Sequence, residues 1–266
     1  MVCLVVNGDS LPCADQLCSA LTAKFPQIHG ILLNVNKKNT NVVLGEKFVT
    51  LWGEGVIEDI LCGLRIKIAP AAFYQVNRRG AELLYSLAAE RAGVNEQGTL
   101  LDLYCGAGTI GLSMAHNFGR VVGIEIVPSA VECAKENAAN NGVENTYFSC
   151  GDASDAGGLL ARAERELGER IDADVVILDP PRKGTTPELI EYISGRDIKK
   201  VVYVSCDPVT LARDCALLRQ HGYEIGNVTP VDMFPRCGHV ETVVLLSRKD
   251  VHERIKFDVN VEDLIK

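Results

Sequence analysis

Leu100-Leu-Asp-Leu-Tyr-Cys-Gly-Ala-Gly-Thr-Ile-Gly111 is the stretch whose reading decides the fold. Residues 100–104 are apolar apart from Asp102 and read as a strand buried on both faces. Gly106, Gly108 and Gly111 form a turn that lets backbone approach a ligand closely before a helix begins. A second apolar strand, 121–126, ends in Glu125, where a carboxylate can accept both hydroxyls of a ribose. Strand, glycine turn, helix, strand and acid make a nucleotide-binding pattern. Gly-x-Gly-x-x-Gly alone does not say which nucleotide, and a nicotinamide-binding domain is the alternative here.

Working outward, the alternation continues. Pro128–Asn140 reads as a helix closed by Asn141-Gly142. A third strand at 147–149 leads into Gly151-Asp152-Ala153, and 161–167 is helical. Ala173–Leu178 is a fourth strand, ending in Asp179-Pro-Pro-Arg-Lys-Gly184. Residues 201–204 are the fifth, and Cys206 falls in the loop after it. Pro208 marks the next helix start, because its missing N–H costs nothing in the first turn. Residues 222–231 and 239–246 close the sheet as an antiparallel pair. Strands alternating with helices predict a parallel, doubly wound α/β sheet with ligands outside the carboxyl ends of its strands. Carboxylates follow successive strands: Asp102 and Glu125, then Asp152, then Asp179. With the glycine turn, that order resembles the Rossmann-like S-adenosylmethionine-dependent methyltransferase fold. In that resemblance Asp152 meets the adenine amino group.

Residues 1–68 read as a small α/β subdomain, and 69–266 as the larger domain. The first holds a strand at Val2–Val6, a helix over 10–25 with Ser10 as N-cap, and a hairpin of 30–36 with 41–44. Strands at 48–52, 56–61 and Leu64–Ile68 follow, the last two turning at Cys62-Gly63. Opening directly on a strand suggests a fragment whose preceding domain has been removed. Residues 69–77 form a loop into a helix over 76–92. Gln75 lies in that loop, where a lone Gln is commonly a solvated or capping residue. Residues 248–266 read as a charged tail.

The 266 residues are 47% hydrophobic and 23% charged, the composition of a globular chain. No apolar run reaches the ~20 residues of a membrane helix. Met1–Val6 lacks the basic flank of a signal peptide. Ten scattered cysteines without a Cys-x-x-Cys pair give no spacing for a metal site and fit reduced cytoplasmic thiols. A net charge of −8 argues against a generally basic nucleic-acid binder. Arg182, Lys183, Arg196, Lys199, Lys200, Arg213 and Arg219 surround the Cys206 segment. A local basic face and scattered surface charge explain them equally.

Cys206 past a strand end and before a helix N-terminus lies where that helix should favour a thiolate, the nucleophilic form. An inert buried Cys is the bland alternative. Arg182 follows Asp179-Pro-Pro, where exocyclic-amine methylators usually carry an aromatic residue. Amine methylation loses support there, and the alternative chemistry is methylation of a pyrimidine carbon. A thiolate adding at C6 of uracil makes C5 nucleophilic, and a base must then take the C5 proton. Glu241, opening the last apolar strand, is the candidate base, with His239 competing.

Phe73-Tyr-Gln-Val-Asn77, the 102–111 turn, Asp179–Gly184, Val204-Ser-Cys-Asp-Pro-Val-Thr-Leu-Ala-Arg-Asp214 and His239-Val-Glu-Thr-Val243 occur in one order along the chain. Together they resemble the RNA uracil-C5 methyltransferase family. The resemblance implies Cys206 as nucleophile and Glu241 as base. It implies Gln75, Tyr104, Glu125 and Asp179 as contacts of the cofactor S-adenosylmethionine, with Asp152 added. Arg182 would sit near the target base or its phosphate. The partner would be RNA, in a single-stranded loop whose base can leave the stack. By family resemblance alone, the form of the glycine turn leans towards ribosomal rather than transfer RNA. The expected enzyme is cytoplasmic and monomeric, without metal or membrane. The OB-like domain and cysteine cluster of some members are not visible, and the acidity fits a catalytic piece lacking a basic RNA-binding module. An RNA cytosine-C5 methyltransferase is a lesser reading, because Arg182 stands where that class has a second Cys. A non-catalytic RNA-binding module is the other, and would need neither Cys206 nor Glu241.

Overall fold

A three-stranded unit begins the chain. β1 (Val2–Val6), helix α1 (Ala14–Lys24) and β2 (Gly30–Val35) form a parallel β-α-β unit, and β3 (Lys47–Gly53) runs antiparallel to β2. The computed structural model describes residues 1–39 and 42–249. Two expectations are corrected here. Ser10 does not cap α1, which starts behind Cys13 in a left-handed conformation with φ 55°. β2 pairs with β3 and not with 41–44, of which residue 41 lies outside the described residues. The reason is side-chain chemistry. Asn36 Nδ2 donates to the Val42 and Val43 carbonyls, and Asn34 Nδ2 to the Gly45 carbonyl, so 42–45 is satisfied as a loop. Thr40 and most of the predicted tail, 250–266, also lie outside the described residues.

β4 (Ile57–Leu61) and β5 (Leu64–Ile68) pair around Cys62 and Gly63, with φ of 51° and 78°. Positive φ at both positions is what a tight hairpin turn requires. α2 (Arg78–Ala92) starts later than expected, at Asn77, whose side chain accepts from the Gly80 N–H. The same side chain donates to the Met233 carbonyl at 2.9 Å, tying α2 to the far end of the chain.

The main sheet follows, and it is doubly wound as the strand–helix alternation implies. Its elements are β6 (Asn95–Leu103), α3 (Thr109–Ser113), β7 (Phe118–Glu125), α4 (Pro128–Asn140), β8 (Thr146–Cys150), α5 (Ala156–Leu167) and β9 (Ala173–Leu178). They continue with α6 (Pro187–Gly195), β10 (Lys200–Ser205), α7 (Pro208–Gln220), β11 (Tyr223–Val231) and β12 (Glu241–Arg248). Helix α6 was not among the expected elements. The seven strands stand in the order β11-β12-β10-β9-β6-β7-β8. β6 to β10 are mutually parallel, and β12 enters antiparallel to β10. The chain leaves β6 towards β7 and β8, then returns to β9 and β10. The crevice of such a switch opens between the loops after β6 and β9.

Successive strand residues face opposite sides, so each strand must be apolar throughout. Leu101, Val122, Val176 and Val201 pack against α5, α6 and α7. Their neighbours Leu100, Val121, Val175 and Val202 pack against α2 together with Leu61, Ile66 and Ile68 of the hairpin. Among the described residues no helix is long and apolar enough to cross a membrane.

Candidate active site

The loop after β10 carries Cys206. Ser205 Oγ donates to the Asp207 carbonyl at 2.9 Å and accepts from the Asp207 N–H at 3.1 Å, folding the backbone tightly around the cysteine. α7 starts at Pro208, as expected. Ser205 pairs with Thr242 across the β10–β12 ladder, and Thr242 Oγ1 donates to the Ser205 carbonyl at 3.2 Å. One step further along an antiparallel ladder brings Glu241 opposite Cys206. The two residues read separately from the sequence therefore meet at one sheet edge.

Glu241 is buried, and burial pushes its carboxyl up, with the Arg182 guanidinium pulling back. Burial also pushes the Cys206 thiol up, and the Glu241 and Asp179 carboxyls push it further. Arg182 opposes them. Burial and the two carboxyls thus oppose the thiolate that the helix N-terminus is expected to favour. The first-turn donors of α7 are occupied: the Val209 and Thr210 N–H groups both donate to Asp207 Oδ1.

Asp179 follows β9, beside β10. Burial drives its carboxyl up to about 8, and the neighbouring Glu241 and Asp102 carboxyls add to the rise. Arg182 is exposed on the following turn, with Nη2 3.3 Å from His239 Nε2. His239 is therefore placed against Arg182, a contact that its reading as a competing base did not anticipate.

The loop after β6 forms the other wall. Asp102 is fully buried at the strand end, and its Oδ2 accepts from the Gly111 N–H at 2.9 Å. A Cβ at Gly111 would lie 2.8 Å from that oxygen, so the helix approaches the strand only as glycine. Tyr104 adopts φ 67°, unusual for a bulky residue, and its hydroxyl lies 3.2 Å from Thr185 Oγ1. Glu125 Oε2 accepts from the Gly106 N–H and Oε1 from the Val127 N–H, which fixes its carboxylate between turn and helix. Asp152 is exposed; it caps the next turn, accepting from the Ser154 N–H.

Gln75 is neither solvated nor a cap. It is 4% exposed, and its Oε1 has no partner among the described residues. Its loop is held against the glycine turn, since Ala69 and Ala72 pack on Ala107. Asp102 Oδ1 is likewise buried without a partner. Orphaned buried acceptors are costly, and a ligand bearing hydrogen-bond donors would satisfy them.

Sequence reasoning missed Asp214, Tyr203 and Thr185, and met Arg213 only as one of the basic residues around Cys206. Asp214 is fully buried and joins the other three. The signal was present: Asp214 shares the helix face of Leu211, Cys215 and Leu218, where a carboxylate needs a reason. Of the basic residues around Cys206, for which a local face and scattered charge are equal readings, Arg182 and Arg213 lie at the site and two others point elsewhere. Arg196 pairs with Glu164, and Lys200 donates to the Ala92 carbonyl.

Comparison with known proteins bears on this geometry. The family model described as tRNA (Uracil-5-)-methyltransferase matches residues 63–249. An RNA methyltransferase of Clostridium acetobutylicum is 43% identical over 254 residues, covering 94% of this chain and 53% of that protein. Another, of Caldanaerobacter subterraneus, is 43% identical over 252 residues, covering 93% and 54%. The chain spans about half the length of the curated relatives it matches. Among solved structures, the Pyrococcus abyssi tRNA (uracil-54, C5)-methyltransferase in complex with S-adenosyl-L-homocysteine superposes with TM-score 0.70 at 29% identity. That match covers 92% of this chain and 54% of the other. The M. jannaschii tRNA m1G37 methyltransferase superposes with TM-score 0.57 at 15% identity, over 93% of this chain and 72% of its own, a likeness of fold alone.

Proposed function

The chain belongs to the tRNA (uracil-5-)-methyltransferase family, and from that premise we propose that it methylates C5 of a uridine in RNA through a covalent adduct on Cys206. The observation that carries the reading is the meeting of Cys206 and Glu241 at the β10–β12 edge, beside Asp179 and Arg182.

Gln75, Tyr104, Glu125, Asp152 and Asp179 would hold S-adenosylmethionine across the crevice between the β6 and β9 loops. The unpartnered Gln75 and Asp102 oxygens, the glycine turn and the fixed Glu125 carboxylate fit such a ligand. The bound group supplies an electrophilic methyl to C5. Cys206 Sγ bonds to C6 of the uracil, and the displaced π pair makes C5 nucleophilic. Glu241 then takes the C5 proton. The electron pair left behind restores the C5–C6 bond and expels Cys206 Sγ. A partly desolvated carboxyl with raised proton affinity suits that acceptor role. Arg182 offers the site a cation for the polarised base or its phosphate. Because burial pushes the thiol up in the free chain, Cys206 must first lose its proton to solvent base before Sγ adds to C6, and adduct formation accelerates as pH rises.

The resemblance of the glycine turn to that of ribosomal RNA members of the family supports a ribosomal RNA substrate. Transfer RNA is the second reading, favoured by the names of the family model and of the Pyrococcus abyssi enzyme. All ten cysteines are free, which supports a reducing, cytoplasmic setting. Nucleoside mass spectrometry after incubation with unmodified ribosomal or transfer RNA tests the function. 5-Methyluridine in one of them is expected, and methyl on another nucleoside would contradict the proposal. Gln75→Ala should weaken S-adenosylmethionine binding about tenfold by calorimetry, since one buried hydrogen bond is lost. Unchanged affinity would remove Gln75 from the site.

A further inference from the structure

Asp214 lies on the buried face of α7, and its donors come from several parts of the site. Tyr203 Oη donates to Oδ2 at 2.6 Å, and the Thr185 N–H donates to the same oxygen at 2.9 Å. Arg213 Nε donates to Oδ1 at 2.8 Å. Arg213 Nη2 reaches on to the Lys183 carbonyl at 2.9 Å and the Thr185 carbonyl at 3.1 Å. Thr210 Oγ1 donates to the Arg182 carbonyl at 3.1 Å. Gly184 fits between them only because it lacks a side chain: at φ 75°, a Cβ would stand 2.5 Å from Asp214 Oδ2 and 2.6 Å from Arg213 Nη2. The loop 182–185 is thereby fastened to the helix that follows Cys206.

A buried carboxyl is an expensive fastener, and an apolar residue would seal the same gap more cheaply. The groups that Asp214 gathers indicate what the expense secures. Thr185 carries the hydroxyl that meets Tyr104, and Arg182 begins the fastened segment. Resting on the reading of Cys206 as the nucleophile, we propose that Asp214 is a positioning residue, locking the Arg182 loop to α7 so that the Arg182 guanidinium stays beside Cys206 and Glu241.

The charged groups acting on Cys206 are Glu241 at the start of β12, Asp179 at the end of β9 and Arg182 on the loop. Arg182 is the cation of that set. A loop that drifts therefore leaves the thiol facing two carboxyls.

The test is the pH profile of Cys206 alkylation by iodoacetamide, followed by peptide mapping to separate it from the other cysteines. Asp214→Asn keeps the shape while replacing an acceptor with a donor. It should displace the profile to higher pH and slow alkylation about threefold at neutral pH, as does Arg182→Ala. Gly184→Ala, which pushes the loop away from the opposite side, should do the same. Asp214→Asn added to Arg182→Ala should slow alkylation no further, because both act through one group. If Asp214→Asn only lowers Tm and leaves the profile in place, the residue is a structural staple and the proposal is overturned. Should that variant not fold, Gly184→Ala and Arg213→Met decide the matter, and wild-type profiles in both overturn it. The comparison needs no RNA, so a failure of the methyltransferase reading would appear separately, as absent methyl transfer by the wild type.

Discussion

Asp179, Asp102 and Glu241 put three carboxyls at one crevice, and burial raises the proton affinity of each. Asp179 is driven from 3.8 to about 8, and Asp102 from 3.8 to about 7. Between those limits the folded chain holds protons that the unfolded chain has released. Stability without cofactor therefore falls as pH rises from about 4 to about 8, and the loss ends above that window. Asp179→Asn removes a carboxyl that is costly to ionise. It should raise Tm at alkaline pH by about 4 °C and flatten the Tm–pH curve, while S-adenosylhomocysteine binds more weakly by calorimetry. A steeper curve or a lower alkaline Tm would refute the burial argument. Glu241→Gln removes the proposed proton acceptor while keeping the shape. On denaturing gels of a stalled reaction, the RNA adduct should accumulate several-fold over wild type. If it does not, another group takes the C5 proton. At this scale the sequence disclosed residues whose chemistry is rare, such as Cys206 and the acids at strand ends. Asp214 was legible only through its place on the apolar face of Leu211, Cys215 and Leu218, because a carboxylate on a helix otherwise reads as solvated.

Among the elements, the loops carry most of the information that sequence could not. The parallel strands were legible because burial on both faces leaves no polar alternative. β2 was assigned the wrong partner because the Lys37-Lys-Asn-Thr40 segment looks like a hairpin turn. The decisive hydrogen bonds of Asn34 and Asn36 leave no periodic trace. Helix α6 carried a readable start, Thr186 as N-cap and Pro187 in the first turn, which the preceding Pro-Pro loop obscured. Asn77 bears two loads, capping α2 and holding the Met233 carbonyl. Asn77→Ala should lower unfolding free energy by about 1–2 kcal/mol in urea titrations. A loss confined to a few tenths would mean that the bond to Met233 contributes nothing.

For the whole molecule, the sheet order accounts for why the site is where it is. The switch between β6 and β9 opens the crevice, and the reversed strand β12 brings Glu241, the proposed base, to Cys206, the proposed nucleophile. Alternating strands and helices made the first feature readable. The second depends on the β10–β12 register, which no single segment encodes. The net charge of −8 concerns the chain as a unit, and it offers phosphates little general attraction. The proposed affinity for RNA therefore rests on the site itself more than on the chain's overall charge. The most direct test of the central claim uses RNA carrying 5-fluorouridine, whose fluorine cannot be removed as a proton. With S-adenosylmethionine, the chain should form an adduct that survives denaturing electrophoresis and disappears in Cys206→Ala. Methyl transfer to ordinary RNA without such an adduct, or an adduct that persists in Cys206→Ala, would contradict the assignment of Cys206 as nucleophile.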